Sequence, residues 1–224
     1  MKLPILILNF KNYEEASNTK ALKLAKICDE AARKFRISIV VCPQFTDLKE
    51  ISKKFKKIFV FSQHIDPIES AGAFTGHIIA ENIKDFVHGT LINHSERKLK
   101  LREIRKCVKI AKKYHLISVC CAKNLKEVKE IAKFSPDFIA IEPPELIGKG
   151  RAISKVKPDI ITRTIEEVKK INKRVKVLCG AGIVSGEDVK KAIELGSKGV
   201  LVSSAFVKAK KPKRVLFELI KGLL

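Results

Sequence analysis

The residues able to do chemistry in this sequence stand where apolar runs stop. Asn9 and Lys11 close the first run, Gln63 and His64 the third, Asn93-His94-Ser95-Glu96-Arg97 the fourth and Glu142 the sixth. Gly180-Ala181-Gly182 and Ser203-Ser204 close the last two. Together they offer a base, an imidazole, a fixed cation and an anion cradle. Glu142 ends the run Phe138-Ile139-Ala140-Ile141, where apolar neighbours disfavour the charged carboxylate and raise its pKa towards that of a general base. A solvated strand-end acid held in a salt bridge fits the same pattern. His94 precedes Ser95-Glu96-Arg97, a turn whose amides point back at the ring and favour a neutral imidazole that donates to a carbonyl oxygen. A structural histidine is the alternative. Lys11 projects a cation that Glu96 is placed to pair with, although a chain this basic also has many surface lysines.

The stretch AIEPPELIGKGRAIS, residues 140–154, joins three features. The carboxylate of Glu142 is followed by Pro143 and Pro144, which stiffen the chain. Residues 145–154 then form a glycine-containing segment longer than most βα loops, as a lid on a rigid hinge requires; a long surface loop is the plain alternative. Gly148, Gly182, Ser203 and Ser204 are candidates to present backbone N–H groups to a phosphate, with Ser204 opening a short turn through Ala205 and Phe206. Such a cradle specifies a phosphorylated ligand without naming a reaction.

The elements that must position these groups repeat along the chain. Short apolar, β-branched runs occur at residues 5–9, 38–42, 58–63, 89–93, 118–122, 138–142, 175–179 and 199–203, each reading as a strand buried on both faces. Helical spacing lies between them, as in Leu24, Ile27, Ala31 and Phe35, in Leu101, Ile104, Val108 and Ala111, and in Ile161, Ile165 and Val168. Weaker helices follow Pro43 and the loop around Gly72. Thr46-Asp47, Ser185 with Glu187 and Asp188, and Pro212 read as helix starts. Strand and helix alternate without a linker, so residues 1–224 are expected to form one domain, a closed (β/α)8 barrel of parallel strands ringed by helices; an open doubly wound sheet is the alternative. In the barrel, catalytic groups gather at the carboxyl ends of the strands.

Composition narrows the class. The chain has 224 residues, 46% hydrophobic, and no apolar run near the ~20 residues that span a bilayer. Its amino terminus is too short in apolar residues for a signal peptide, so a cytoplasmic protein is expected. The formal charge of +22 raises nucleic acid or an anionic surface as partners. The basic residues nevertheless spread along helix faces without a tail or aromatic interleaving, so no specific nucleic acid and no membrane is expected. Six cysteines without a Cys-x-x-Cys pair read as buried thiols, and no histidine spacing suits a zinc helix. Neither a metal nor a cofactor is expected.

Asn9-Phe10-Lys11, Asn93-His94-Ser95-Glu96-Arg97, Ala140-Ile141-Glu142-Pro143 with Ile147-Gly148-Lys149-Gly150, and Leu201-Val202-Ser203-Ser204-Ala205 together resemble the signature segments of the triosephosphate isomerase family, over the whole chain. The resemblance implies reversible isomerisation of dihydroxyacetone phosphate and D-glyceraldehyde 3-phosphate through an enediolate, in glycolysis and gluconeogenesis. It implies Glu142 as base, His94 as electrophile, Lys11 with Asn9 stabilising negative charge, and Glu96 as Lys11's partner in the catalytic set. The substrate would be bound by Asn9, Phe10 and Lys11. A lid at residues 145–149 would grip its phosphate through Ile147 and Gly148, with Gly182, Ser203 and Ser204 opposite. The sequence departs from the common pattern at Cys179-Gly180-Ala181-Gly182-Ile183, where Gly-Gly-Ser-Val is usual, and at Ser203-Ser204, where Gly-Gly is usual. Its short length and double proline resemble the archaeal branch, which implies a homotetramer where the common form is a homodimer. Lys149 and Arg151 add charge to the lid segment. Another phosphate-binding barrel, an aldolase or synthase, is the nearest rival; such sites use a Schiff-base lysine or other acids, and no lysine is read at the end of the fifth or sixth strand core. A polyanion-binding protein living off the +22 charge is the rival from a different class.

Overall fold

The computed structural model describes residues 1–143 and 157–224. Its eight strands are β1 (Ile5–Asn9), β2 (Ser38–Cys42), β3 (Phe59–Ser62), β4 (Gly89–Ile92), β5 (Ile117–Ala122), β6 (Phe138–Ile141), β7 (Lys176–Cys179) and β8 (Gly199–Val202). Each pairs in parallel with the next, and β8 returns to β1 with Gly199 opposite Ile5, so the sheet is a closed barrel in sequence order. Closure leaves no sheet edge, which the open doubly wound alternative would have had to cover.

Why every strand reads as continuously apolar follows from the two layers it serves. Alternate residues point inward, and Ile5, Ile7, Val40, Phe61, Leu91, Val119, Ala140, Leu178 and Leu201 fill the barrel interior. Their neighbours, among them Leu6, Leu8, Ile39, Val60, Ile92, Ile139, Val177 and Val200, pack outward against the helices. Those helices are α1 (Thr19–Phe35), α2 (Leu48–Lys54), α3 (Ala80–Ile83), α4 (Leu101–Lys113), α5 (Leu125–Ala132), α6 (Pro158–Ile171), α7 (Gly186–Glu194), α8 (Ser204–Val207) and α9 (Pro212–Lys221).

The helix starts follow local chemistry in two cases and not in a third. The Ser185 hydroxyl accepts from the Asp188 amide while the Asp188 carboxylate accepts from the Ser185 amide, a reciprocal capping box at α7. Pro212 opens α9 in its first turn. Asp47 precedes α2 as expected, but its carboxylate accepts from the Asn18 amide at 3.2 Å instead of capping its own helix. Leu101, read as part of the apolar stripe of α4, is the first helical residue and is exposed; Ile104, Val108 and Ala111 of that stripe are buried, together with Cys107 and Ile110.

Candidate active site

The period of two that fills the barrel also builds its mouth. One step beyond the last inward apolar residue, Asn9 follows Ile7, Gln63 follows Phe61, Glu142 follows Ala140, Gly180 follows Leu178 and Ser203 follows Leu201. Polar groups are thereby carried to the carboxyl end of the barrel on a scaffold fixed by packing beneath them.

Glu142 is 4% exposed, and its Oε2, fully buried, has no hydrogen-bond partner among the described residues. Burial pushes its carboxyl up to about 7; the Cys121 thiol and the Lys11 and Lys98 ammonium groups oppose the shift. Gly180 makes this placement possible, because a Cβ there would stand 2.5 Å from Glu142 Cγ. The carboxylate rests on a glycine surface that no other residue can supply.

Facing it, His94 Nε2 lies 3.9 Å from Glu142 Oε1. The other ring nitrogen, Nδ1, accepts from the Glu96 amide at 3.2 Å, so a neutral ring carries its proton on Nε2, towards the carboxylate. Burial, with Lys11 second, lowers the His94 pKa to about 4. The imidazole is thus neutral at physiological pH and offers a single N–H to the cavity. Lys11 takes a left-handed backbone, φ 49°, its amide donating to Asn9 Oδ1 at 3.0 Å. Its Nζ reaches Glu96 Oε1 at 3.1 Å. That bond holds the Glu96 carboxyl below its usual range and points the ammonium across the mouth.

Two cavities meet at Lys11 and His94. A small one, about 60 Å³, is bounded by Glu142, Gly180, Gly182, Ser203 and Ser204. A larger one, about 420 Å³, is lined by Asn9, Gln63, His64, Glu96 and Arg97. Gly182 adopts φ 73°, and Ser204 begins α8, so the glycine and serine loops after β7 and β8 face the small cavity as expected of an anion cradle. The Ser203 hydroxyl is spent differently, donating to the Asn9 carbonyl at 2.8 Å and tying β8 to β1.

The structure therefore brings together Glu142, His94, Lys11, Asn9, Glu96, Gly182, Ser203 and Ser204. Phe10 is not among them: its side chain is fully buried, 6.3 Å from the Phe206 ring, and lines neither cavity. Ile147 and Gly148, with the lid expected at 145–149 and its charges Lys149 and Arg151, lie outside the described residues. Cys121 is a neighbour of the site not singled out above, while Gln63 is found at the strand end where it is expected. Cys121 sits two residues beyond inward-facing Val119, a spacing that places its thiol under Glu142. Gln63 donates to the carbonyls of Lys11 and Cys42 at 2.9 and 3.1 Å and so fixes the Lys11 loop. Lys123 follows β5 directly, nearer a strand end than the sequence reading allowed. It is exposed, lines neither of these cavities, and instead borders a third, about 180 Å³, together with Glu142, Asn93 and Lys98. Among the described residues no three metal-ligating side chains converge, and no described helix is long and apolar enough to cross a membrane.

Comparison with known proteins shows the family of the chain. Residues 4–222 match the family model described as triosephosphate isomerase. Three similar curated proteins are named triosephosphate isomerase. That of Methanothermus fervidus is 48% identical, covering 98% of this chain and 99% of its own length. That of Methanocaldococcus jannaschii is 46% identical, covering 97% and 99%. That of Methanosarcina barkeri is 45% identical, covering 99% of each. This chain belongs to the triosephosphate isomerase family.

Proposed function

We propose that the chain, acting as one catalytic domain, interconverts dihydroxyacetone phosphate and D-glyceraldehyde 3-phosphate, with Glu142 as the base and His94 as the electrophile. The observation that carries the reading is the facing pair: a carboxylate held at about 7 and a neutral imidazole whose N–H lies 3.9 Å away. These are the two groups a proton shift beside a carbonyl needs. Ionised Glu142 removes a proton from the hydroxymethyl carbon of the ketose, and the electron pair moves into the adjacent carbonyl. The His94 Nε2 proton and the Lys11 ammonium stabilise the enediolate oxygen, a charge that arises only during the reaction. As the hydroxyl proton on the first carbon's oxygen passes to the oxygen of the second, Glu142 returns its proton to the second carbon, giving the aldose, so no atom or electron is exchanged with a cofactor. The phosphate is taken up by the amides around Gly182, Ser203 and Ser204, with Ile147 and Gly148 gripping it from the lid. Closure excludes water, which protects an intermediate prone to lose its phosphate.

The protein works in the cytoplasm as a homo-oligomer, a tetramer on its resemblance to the archaeal branch, and handles triose phosphate within glycolysis and gluconeogenesis. The deciding experiment is a coupled assay of both triose phosphates with the parent and Glu142→Gln. Rapid turnover by the parent and a loss of ~10²–10⁴-fold in the variant are expected for removal of a general base. A folded parent inactive on both substrates would overturn the reading.

A further inference from the structure

Asp66 lies in the chain after β3, lines neither cavity, and plays no part in the reaction above. It is nevertheless 7% exposed and crowded with donors. Oδ1 accepts from His64 Nε2 at 3.1 Å and from Arg97 Nη2 at 3.2 Å. Oδ2 accepts from the Ile78 amide at 2.7 Å and lies 3.4 Å from His77 Nδ1. The Asp66 amide donates back to the Ile78 carbonyl at 2.8 Å. One carboxylate thus closes the neck of the 66–78 loop and binds it to Arg97.

Arg97 belongs to the turn that carries His94. Its amide donates to the His94 carbonyl at 2.8 Å, and the residue before it, Glu96, supplies the N–H that His94 Nδ1 accepts. Ser95, Glu96 and Arg97 are at least partly exposed, so little packing fixes the turn from outside. Below, Asn93 holds it through bonds to the Cys121 carbonyl at 2.8 Å and the Leu99 amide at 2.9 Å. Asp66–Arg97 supplies an outer constraint at the end of the turn, beside the Lys11–Glu96 pair at 3.1 Å. An ion pair with an exposed arginine usually contributes little, but Asp66 is already immobilised by His64 and Ile78, so only the arginine is ordered on pairing.

We propose that Asp66 is a positioning residue for the isomerisation: acting through Arg97, it holds the 94–97 turn so that the Glu96 amide meets His94 Nδ1 and the ring proton stays on Nε2. The proposal rests on the reading of His94 as the electrophile. The two tautomers of a neutral imidazole are close in energy, so one backbone hydrogen bond selects between them. Loosening the turn lets the proton move to Nδ1, where it cannot reach the substrate.

Asp66→Asn keeps the side chain's size and an acceptor for the Ile78 amide while removing the charge, and Arg97→Gln removes the same link from the exposed end. Both are compared with the parent by steady-state kinetics and by ¹⁵N NMR of the His94 ring. The expected result is a kcat lower by roughly 5–20-fold with KM little changed, as befits an interaction felt in the transition state. The ring should pass from a fixed Nε2–H form to a tautomer mixture. The double variant should lose no more than the worse single one, because both break one connection. Unchanged kcat and an unchanged ring spectrum in folded variants, or losses that multiply, would overturn the proposal. Should Asp66→Asn fail to fold, Arg97→Gln decides alone. Inactivity of the parent would overturn the isomerase reading instead, and the ring spectrum would still decide on Asp66.

Discussion

Asp66 and Glu142 lie beyond the ends of β3 and β6 with 7% and 4% of their surface exposed; burial favours the protonated form of both, more strongly for Glu142, and the outcomes are opposite. For Asp66 burial resists ionisation, but the Ile78 amide, His64 and Arg97 outweigh it and hold the carboxyl below its usual range. For Glu142 burial prevails, since one oxygen has no partner among the described residues and the carboxyl rises to about 7. Burial therefore does not set a carboxylate's role; the donors that come with it do. A satisfied acid stays charged and fixes structure, whereas an under-satisfied one keeps its affinity for a proton and can move it.

The sharpest test of that contrast is stability against pH, where the two acids predict opposite signs. The folded-state pKa of Glu142 lies above its unfolded value, so its contribution is present below pH 4.5 and is lost as pH rises through about 7. Glu142→Gln should therefore be more stable than the parent at pH 8, by up to roughly 3 kcal/mol, with the advantage vanishing near pH 4. The folded-state pKa of Asp66 is lowered, so its contribution is present above the unfolded value and lost as pH falls through the folded one. Asp66→Asn should be less stable than the parent at pH 8, by ~1–3 kcal/mol for a broken charged hydrogen-bond cluster, and the deficit should persist at pH 4, still above the unfolded value of 3.8, where the Glu142→Gln advantage has vanished. Urea unfolding of both variants at pH 4 and pH 8 measures this, and variants shifting in the same direction at pH 8 would end the contrast.

Gly180→Ala attacks the Glu142 side without touching its chemistry. The added Cβ would meet Glu142 Cγ at 2.5 Å, so the carboxylate must move, and a displacement near 1 Å costs on the order of 10²-fold in kcat. Wild-type turnover in Gly180→Ala would show that the carboxylate tolerates repositioning. A milder probe leaves the protein intact. With the base titrating at about 7, kcat/KM should fall about tenfold per pH unit below that value and level off above it. His94, neutral down to about 4, adds no second bend in that range. A profile flat from pH 5 to 8 would place Glu142 among the ordinary carboxylates.

Much of the mouth was legible because strand alternation is legible. Once residues 138–142 read as a strand with Ala140 inward, Glu142 had to be inward too, and the same holds for Asn9 after Ile7. Long-range closeness was not legible. Asp66 follows Ile65 in an irregular loop, and its Ile78 and Arg97 partners stand 12 and 31 residues away, a relation no local period encodes. Gly180 read as part of an anion cradle, while its backbone lies against the Glu142 side chain one strand over, a cross-strand fact visible only after β6 and β7 pair with Ile141 opposite Cys179. Phe10 was drawn into the site by its neighbours Asn9 and Lys11, although strand alternation already turns it outward, where Phe206 receives it.

The smallest effect concerns Ser203. Its hydroxyl donates to the Asn9 carbonyl at 2.8 Å, a bond between the first and last strands beside the small cavity, in addition to any phosphate contact from its backbone. If the side chain serves the barrel seam and the amide serves the phosphate, the two roles separate on substitution. Ser203→Ala should cost ~1 kcal/mol in urea unfolding, the usual net worth of one such bond, while KM stays within about twofold because the amide remains. Ser203→Gly should lose the same bond and add backbone freedom, about 0.5–1 kcal/mol more. A large rise in KM for Ser203→Ala, with stability unchanged, would transfer the hydroxyl from the seam to the ligand.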